Sequence, residues 1–253
     1  MKVHYRLDGP EGAPVLVLAN SLGTGLGLWS RNLPHWQGSF RVLRYDLRGH
    51  GGSGLRSEPF GVDDLGRDVV ELLDELGIGR VSFCGLSLGG AIGQWLAANE
   101  PGRIDRLVLA CTTARFGESE QWLERASKVR AEGLESIAES VLARWFTSAM
   151  ADPDVAAFRE MLLSTPAEGY AATCEALARW DFRNRVGEIR APTLVVVGAA
   201  DPVTAPPDIE LLAEGIPDAR LVVLPGAAHL ANVERPDAFA AAVSEHLALQ
   251  EAA

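Results

Sequence analysis

Cysteine, basic charge and long apolar runs are scarce in this chain, and each scarcity excludes a class of function. Its 253 residues hold three cysteines, Cys84, Cys111 and Cys174, an odd number with no C-x-x-C spacing. Neither a disulfide framework nor a zinc site is supported, and no metal is expected. Lys and Arg number 23 against 34 Asp and Glu, a formal net charge of -11. Nucleic acids and anionic membranes need a basic face, so neither is expected as a partner. A small anion stays admissible, because one local arginine can hold it. No run approaches the roughly 18 apolar residues of a membrane-crossing helix, and the start, Met1 to Arg6, shows no apolar signal core. A reducing cytoplasm is the expected location. Repeats, low-complexity tracts and long linkers are missing too. The glycines from Gly49 to Gly54 lack the strand-to-helix spacing of a phosphate or dinucleotide loop, so no cofactor is expected.

What the chain does have is a rhythm. Short apolar, β-branched runs at Val15 to Ala19, Phe40 to Tyr45, Val81 to Cys84, Leu107 to Cys111, Leu194 to Val197 and Leu221 to Leu224 alternate with helical patterns. Their apolar positions are consecutive rather than alternating, as in strands covered on both faces of a parallel sheet. Asp63 to Leu76 places Leu65, Val69, Leu72, Leu73 and Leu76 on one helix face, with Asp63 as N-cap and Gly77 as stop. Residues 88 to 99 and 236 to 249 are further helices. The pattern predicts an α/β fold with a mostly parallel, doubly wound sheet. Between Thr112 and Arg190 the rhythm breaks. That block is rich in Ala, Leu, Glu and Arg, and predicts helices over 119 to 131, 134 to 147, 154 to 163 and 168 to 180. The expected organisation is a core of residues 1-111 and 191-253 with a helical cap, 112-190, inserted in it.

Gly85-Leu86-Ser87-Leu88-Gly89 fits G-x-S-x-G between a strand and a helix. A serine nucleophile has to stand on a sharp, strained turn for its hydroxyl to project clear of the backbone. Gly85 and Gly89 remove side chains that would collide across that turn. The helix that follows points its N-terminus at a developing oxyanion, and the Leu88 N–H can donate to it. The serine needs a base, and the base an orienting acid. Of the five histidines, His4 and His35 precede the elbow, His50 lies in a glycine-rich loop and His246 is mid-helix. His229, in a loop just after the run ending at Leu224, fits a base. For the acid, Asp201 follows Leu194 to Val197 directly, whereas Asp218 precedes its strand. An exposed loop aspartate is the alternative for Asp201. The second oxyanion donor is expected from the loop after Ala19, at the Leu22 backbone N–H. The order Ser87, Asp201, His229 is that of an α/β-hydrolase.

With those residues in place, the sequence resembles the α/β-hydrolases, and within them the 3-oxoadipate enol-lactonases of aromatic catabolism. The resemblance runs along nearly the whole chain. It is carried by Asn20-Ser21-Leu22-Gly23-Thr24, by Tyr45-Asp46-Leu47-Arg48-Gly49-His50-Gly51, by Phe83 to Gly90 with Gly93-Gln94-Trp95-Leu96, by Arg144-Trp145-Phe146-Thr147 and by Glu168-Gly169-Tyr170. The elbow and triad say only hydrolase; the Asn-Ser-Leu-Gly-Thr loop and the Arg-Trp-Phe-Thr segment are narrower. Gly25 departs from the family, which often has Asp there. The resemblance implies an α/β-hydrolase fold and a small lactone or ester substrate bearing a carboxylate. Trp145 is then the first candidate for the apolar pocket wall, while Trp122 and Trp180 read as cap core. The carboxylate wants a cation from among Arg48, Arg144 and Arg179. Arg144 is adjacent to Trp145, and helix neighbours point about 100° apart, so the two are not expected to face one pocket squarely. Other serine hydrolases of this fold remain open, a carboxylesterase or a cofactor-free perhydrolase among them, as does a non-catalytic ligand-binding protein. The oligomeric state is left open.

Overall fold

A computed structural model describes residues 2 to 248. Seven strands, β1 (Tyr5–Asp8), β2 (Val15–Ala19), β3 (Arg41–Tyr45), β4 (Val81–Leu86), β5 (Ile104–Ala110), β6 (Thr193–Gly198) and β7 (Arg220–Leu224), form one sheet in the order β1-β3-β2-β4-β5-β6-β7. All neighbouring pairs are parallel except β1 with β3. Every residue of β4 and β6 is buried, so both faces of the sheet centre are covered, as the unbroken apolar runs require.

All six expected strands are present, with ends shifted by a few residues. β1 was not legible in the sequence. Tyr-Arg-Leu-Asp is an edge strand, exposed or half-buried throughout, so nothing obliges it to be apolar.

The helices are α1 (Leu33–Trp36), α2 (Val62–Glu75), α3 (Leu88–Asn99), α4 (Ser119–Glu132), α5 (Ala138–Trp145), α6 (Asp152–Leu163), α7 (Ala167–Ala178), α8 (Pro206–Gly215), α9 (Ala231–Glu234) and α10 (Pro236–Ala248). α3 coincides with its expected range. α10 ends at Ala248, and residue 249 of the expected helix lies outside the described residues. α2 buries Leu65, Val69, Leu72 and Leu73 and stops at Gly77, whose φ of 66° takes the left-handed turn that ends helices. Its N-cap is not Asp63. The cap lies two residues earlier, at Gly61, where Asp64 accepts the Gly61 N–H at 2.9 Å. Asp63 instead sits in the first turn and pairs with Arg67.

The block between β5 and β6 is helical, with α4 packed on α7 and α5 on α6. The expected helix over 134 to 147 is two pieces, a 3-10 turn at Leu134–Ser136 and then α5. Among the described residues no helix is long and apolar enough to cross a membrane.

Candidate active site

β4 ends at Leu86, and Ser87 turns the chain into α3 with φ 56° and ψ -113°. That conformation is strained for any residue with a Cβ. It is held by hydrogen bonds from the Ser87 N–H to the Ala110 carbonyl (2.8 Å) and from Thr112 Oγ1 to the Ser87 carbonyl (2.7 Å). The turn is too tight for side chains on either flank. A Cβ on Gly85 would lie 2.0 Å from the Gly89 carbonyl oxygen, and one on Gly89 would lie 2.4 Å from that of Ala19. Both obstacles are backbone and cannot yield cheaply, so the G-x-S-x-G spacing is a packing requirement.

Ser87 and His229 line the same cavity, of about 340 Å³. Among the described residues no hydrogen bond joins the two side chains, a contact that hydrolase sites commonly tighten when substrate arrives. The His229 side chain is 4% exposed and that of Asp201 is fully buried at 0%, which removes the exposed-loop alternative for Asp201. His229 Nδ1 lies 3.0 Å from Asp201 Oδ2 and 3.2 Å from Oδ1. A carboxylate accepts only, so the proton is on Nδ1 and the Nε2 lone pair is free for an incoming proton. Asp201 is itself held: the Val203 N–H donates to Oδ1 and Thr204 Oγ1 to Oδ2, both at 2.8 Å. Burial opposes its ionisation, but His229 and these donors outweigh burial and hold its carboxyl below the ordinary value. Behind it stands Cys111, at φ 44°, with its N–H on the Val196 carbonyl at 2.8 Å. Burial first, then the Asp201 charge, push that thiol up, so it stays neutral beside the carboxylate. The Asp201 and His229 loops are laced together by bonds from the Ala199 and Ala200 N–H groups to the Leu224 and Ala227 carbonyls, each 2.9 Å.

The loop after β2 brings Ser21 and Leu22 to the cavity. Asn20 anchors it by donating to the Tyr45 carbonyl (2.8 Å) and accepting from Trp29 Nε1 (3.0 Å). His50 Nε2 accepts the Gly23 N–H at 3.2 Å, so His50 shapes the loop and is no second base. Burial pulls its ring below the ordinary histidine value, keeping it neutral as that bond demands. Among the described residues no backbone carbonyl takes the N–H of Leu22 or of Leu88.

Helices α4, α5 and α7 supply further lining of the cavity. Trp145 and Arg144 both line the cavity, contrary to the angular argument from sequence. The 100° offset governs Cβ directions, and an arginine stem is long enough to carry its guanidinium well away from the line of its Cβ. Trp145 is 4% exposed and packs edge-on against Phe146 and Phe158. Arg48 and Arg179 are elsewhere. Arg48 makes a buried two-pronged bond to Asp68 at 2.7 and 2.8 Å, and Arg179 donates to the Phe60 carbonyl. Trp180 is buried and stacked on Phe182, whereas Trp122 is half-buried, packs against the core and also lines the cavity.

The sequence reading missed Arg125, which lies over the Trp122 ring at 4.8 Å and beside the buried Tyr170. The signal was there, since i and i+3 share a helix face. Burial first, and then the like charge of Arg125, pull the Arg144 guanidinium below its ordinary value. It remains a cation at any working pH. Among the described residues neither Arg125 nor Arg144 makes an ion pair with a carboxylate. Two cations share the lining of one cavity with Ser87 and His229. The arrangement can receive an anion and present a carbonyl to Ser87.

Residues 14–236 match the model of a family described as the alpha/beta hydrolase fold. The chain is 42% identical over 244 residues to 3-oxoadipate enol-lactonase 2 of Acinetobacter baylyi, covering 95% of this chain and 91% of that protein. It superposes with a TM-score of 0.94 on the crystal structure of the enol-lactonase from Burkholderia xenovorans, at 43% identity, covering 97% of this chain and 96% of that one. A thermophilic esterase from Thermogutta terrifontis superposes with a TM-score of 0.90 at 30% identity, covering 97% and 92% of the two chains.

Proposed function

The chain belongs to the α/β-hydrolase family, and from that premise we propose that it opens the enol-lactone of 3-oxoadipate with water to give 3-oxoadipate. The observation that carries the substrate is the cavity itself, lined both by Ser87 and His229 and by Arg125 and Arg144, two cations with no carboxylate partner among the described residues. A small lactone bearing a carboxylate suits a cavity that holds both a serine and cations. The enol-lactonases similar over nearly the whole chain support the same reading, and with it a place in the β-ketoadipate pathway of aromatic catabolism. Three buried free cysteines support a cytoplasmic location.

In this mechanism Ser87 Oγ attacks the lactone carbonyl and its proton passes to His229 Nε2, while Asp201 steadies the imidazolium. The N–H groups of Leu22 and Leu88 receive the oxyanion. Its collapse breaks the ring C–O bond and leaves an acyl-enzyme; the departing enolate takes the proton from His229 and becomes a ketone. Because an enolate leaves readily, the barrier lies mainly in attack and positioning. His229 then takes a proton from water as the water oxygen bonds to the acyl carbon; collapse of this second tetrahedral intermediate breaks the bond to Ser87 Oγ, which takes its proton back from His229, and the acid departs. Trp145 and Trp122 form the apolar wall. Residues 112-190 act as a cap on a core of residues 1-111 and 191-253.

The test is steady-state hydrolysis of freshly generated enol-lactone beside p-nitrophenyl acetate. The lactone is expected to give a kcat/KM of about 10⁴ M⁻¹s⁻¹ or more, the ordinary enzyme range, and far above the acetate. Good acetate turnover with negligible lactone turnover would move the protein to the carboxylesterases or perhydrolases. Neither activity would make it a binding protein.

A further inference from the structure

Glu234 closes α9, five positions after His229, and takes no part in the chemistry above. Its half-buried carboxylate makes no ion pair among the described residues. Instead, neutral donors from two separate segments converge on it. Oε1 accepts the Thr147 N–H at 2.9 Å and Thr147 Oγ1 at 2.7 Å, and Oε2 accepts the Ala228 N–H at 2.6 Å. Thr147 follows the end of α5 by two residues; Ala228 immediately precedes His229. The same two segments also meet directly. The His229 and Leu230 N–H groups donate to the Arg144 and Trp145 carbonyls at 3.4 and 3.0 Å, which are among the last-turn carbonyls a helix leaves without internal partners.

We propose that Glu234 is a positioning residue that clasps the His229 loop to the end of α5, so that the base and the Arg144–Trp145 edge of the pocket keep one fixed separation. The inference rests on the reading that the arginine side of the cavity anchors a substrate carboxylate. A carboxylate suits the clasp because its two oxygens offer acceptor sites to donors arriving from both sides, with charge assistance. An amide in its place has one acceptor and must turn an N–H toward a donor. The consequence is selective. A substrate held at its carboxylate and attacked at its carbonyl depends on the distance between the two holds, whereas a substrate held only at the carbonyl does not.

Two esters with one leaving group separate these cases: mono-p-nitrophenyl succinate, which ends in a carboxylate, and p-nitrophenyl butyrate, its neutral analogue. The readout is the ratio of their kcat/KM values. Wild type is expected to favour the succinate by about tenfold or more, and Arg144→Ala, at the clasped end of α5, to remove most of that preference. Glu234→Gln is expected to cut the ratio at least about fivefold, mostly through kcat for the succinate, with the butyrate within about twofold of wild type. Thr147→Val, which removes only the hydroxyl donor, is expected to move the ratio the same way by less, and it decides the matter if Glu234→Gln does not fold. A role in stability alone would lower both esters together. A wild-type preference that survives unchanged in both variants overturns the clasp and leaves the anchor standing. A wild type with no preference overturns the anchor, and the clasp with it.

Discussion

Ser87→Ala is expected to lower lactone turnover by roughly 10⁴-fold or more while leaving the fold intact, as loss of the nucleophile does in enzymes with this triad logic. Among the described residues the Ser87 hydroxyl makes no hydrogen bond, and the strained backbone at φ 56° is no harder for alanine than for serine, since both carry a Cβ. Thermal unfolding should therefore stay within a few degrees of wild type. Substrate affinity should survive too, because Trp145, Arg125 and Arg144 are untouched. The lost quantity is the covalent step, visible as the disappearance of any acyl-enzyme burst in stopped-flow hydrolysis of an activated ester. A loss of less than tenfold would sink the covalent route. It would leave His229 activating water for direct attack, with Ser87 as an onlooker.

The second large effect is expected from Asp201→Asn, a loss in kcat of roughly 10³- to 10⁴-fold with KM changed far less. The replacement is nearly isosteric, but the site has no use for a donor. Asp201 accepts from His229 Nδ1, the Val203 N–H and Thr204 Oγ1, with the Cys111 thiol alongside. An amide NH₂ turned toward His229 would require an acceptor at Nδ1. The ring proton would then move to Nε2, where it blocks proton transfer from Ser87. Turned the other way, the amide nitrogen confronts the other donors. Because the carboxyl is held below its ordinary value, its ionised form stabilises the fold above the usual aspartate range near pH 4, an increment lost as the pH falls further. Asparagine removes that acid dependence as well. Kinetics within tenfold of wild type would show that another group orients His229.

The legible parts of this molecule were those where one local requirement governs. The strands at the sheet centre could be read because a strand buried on both faces has to be apolar at every position. The elbow could be read because its two glycines stand where backbone atoms come within 2.4 Å of any Cβ. That Asp201 would meet His229, and His229 share a cavity with Ser87, could be read from which loops leave the carboxyl ends of strands. What could not be read depends on partners distant in sequence. β1 forms because β3 offers an edge, not because Tyr-Arg-Leu-Asp prefers it. Gly61 caps α2 because Asp64 reaches back to it. Arg125 looks like any solvated arginine on an acidic chain until Trp122 and Tyr170 are placed around it. Thr147 and Glu234 are 87 positions apart, and nothing near either one announces the other.

The pair Arg125 and Arg144 sits in a chain whose formal net charge is -11, so the molecule presents two fields to an approaching carboxylate. At an ionic strength of about 0.01 M the Debye length is about 30 Å, and an anion feels the whole acidic body well before it feels the cavity. At about 0.15 M the length shrinks to about 8 Å, and the distant carboxylates are screened while the guanidiniums, met inside the half-enclosed pocket, are not. This inverts the usual steering of charged substrates, in which salt slows arrival. Here moderate salt hastens arrival by hiding the repulsive exterior, until concentrations at which screening reaches the arginines themselves.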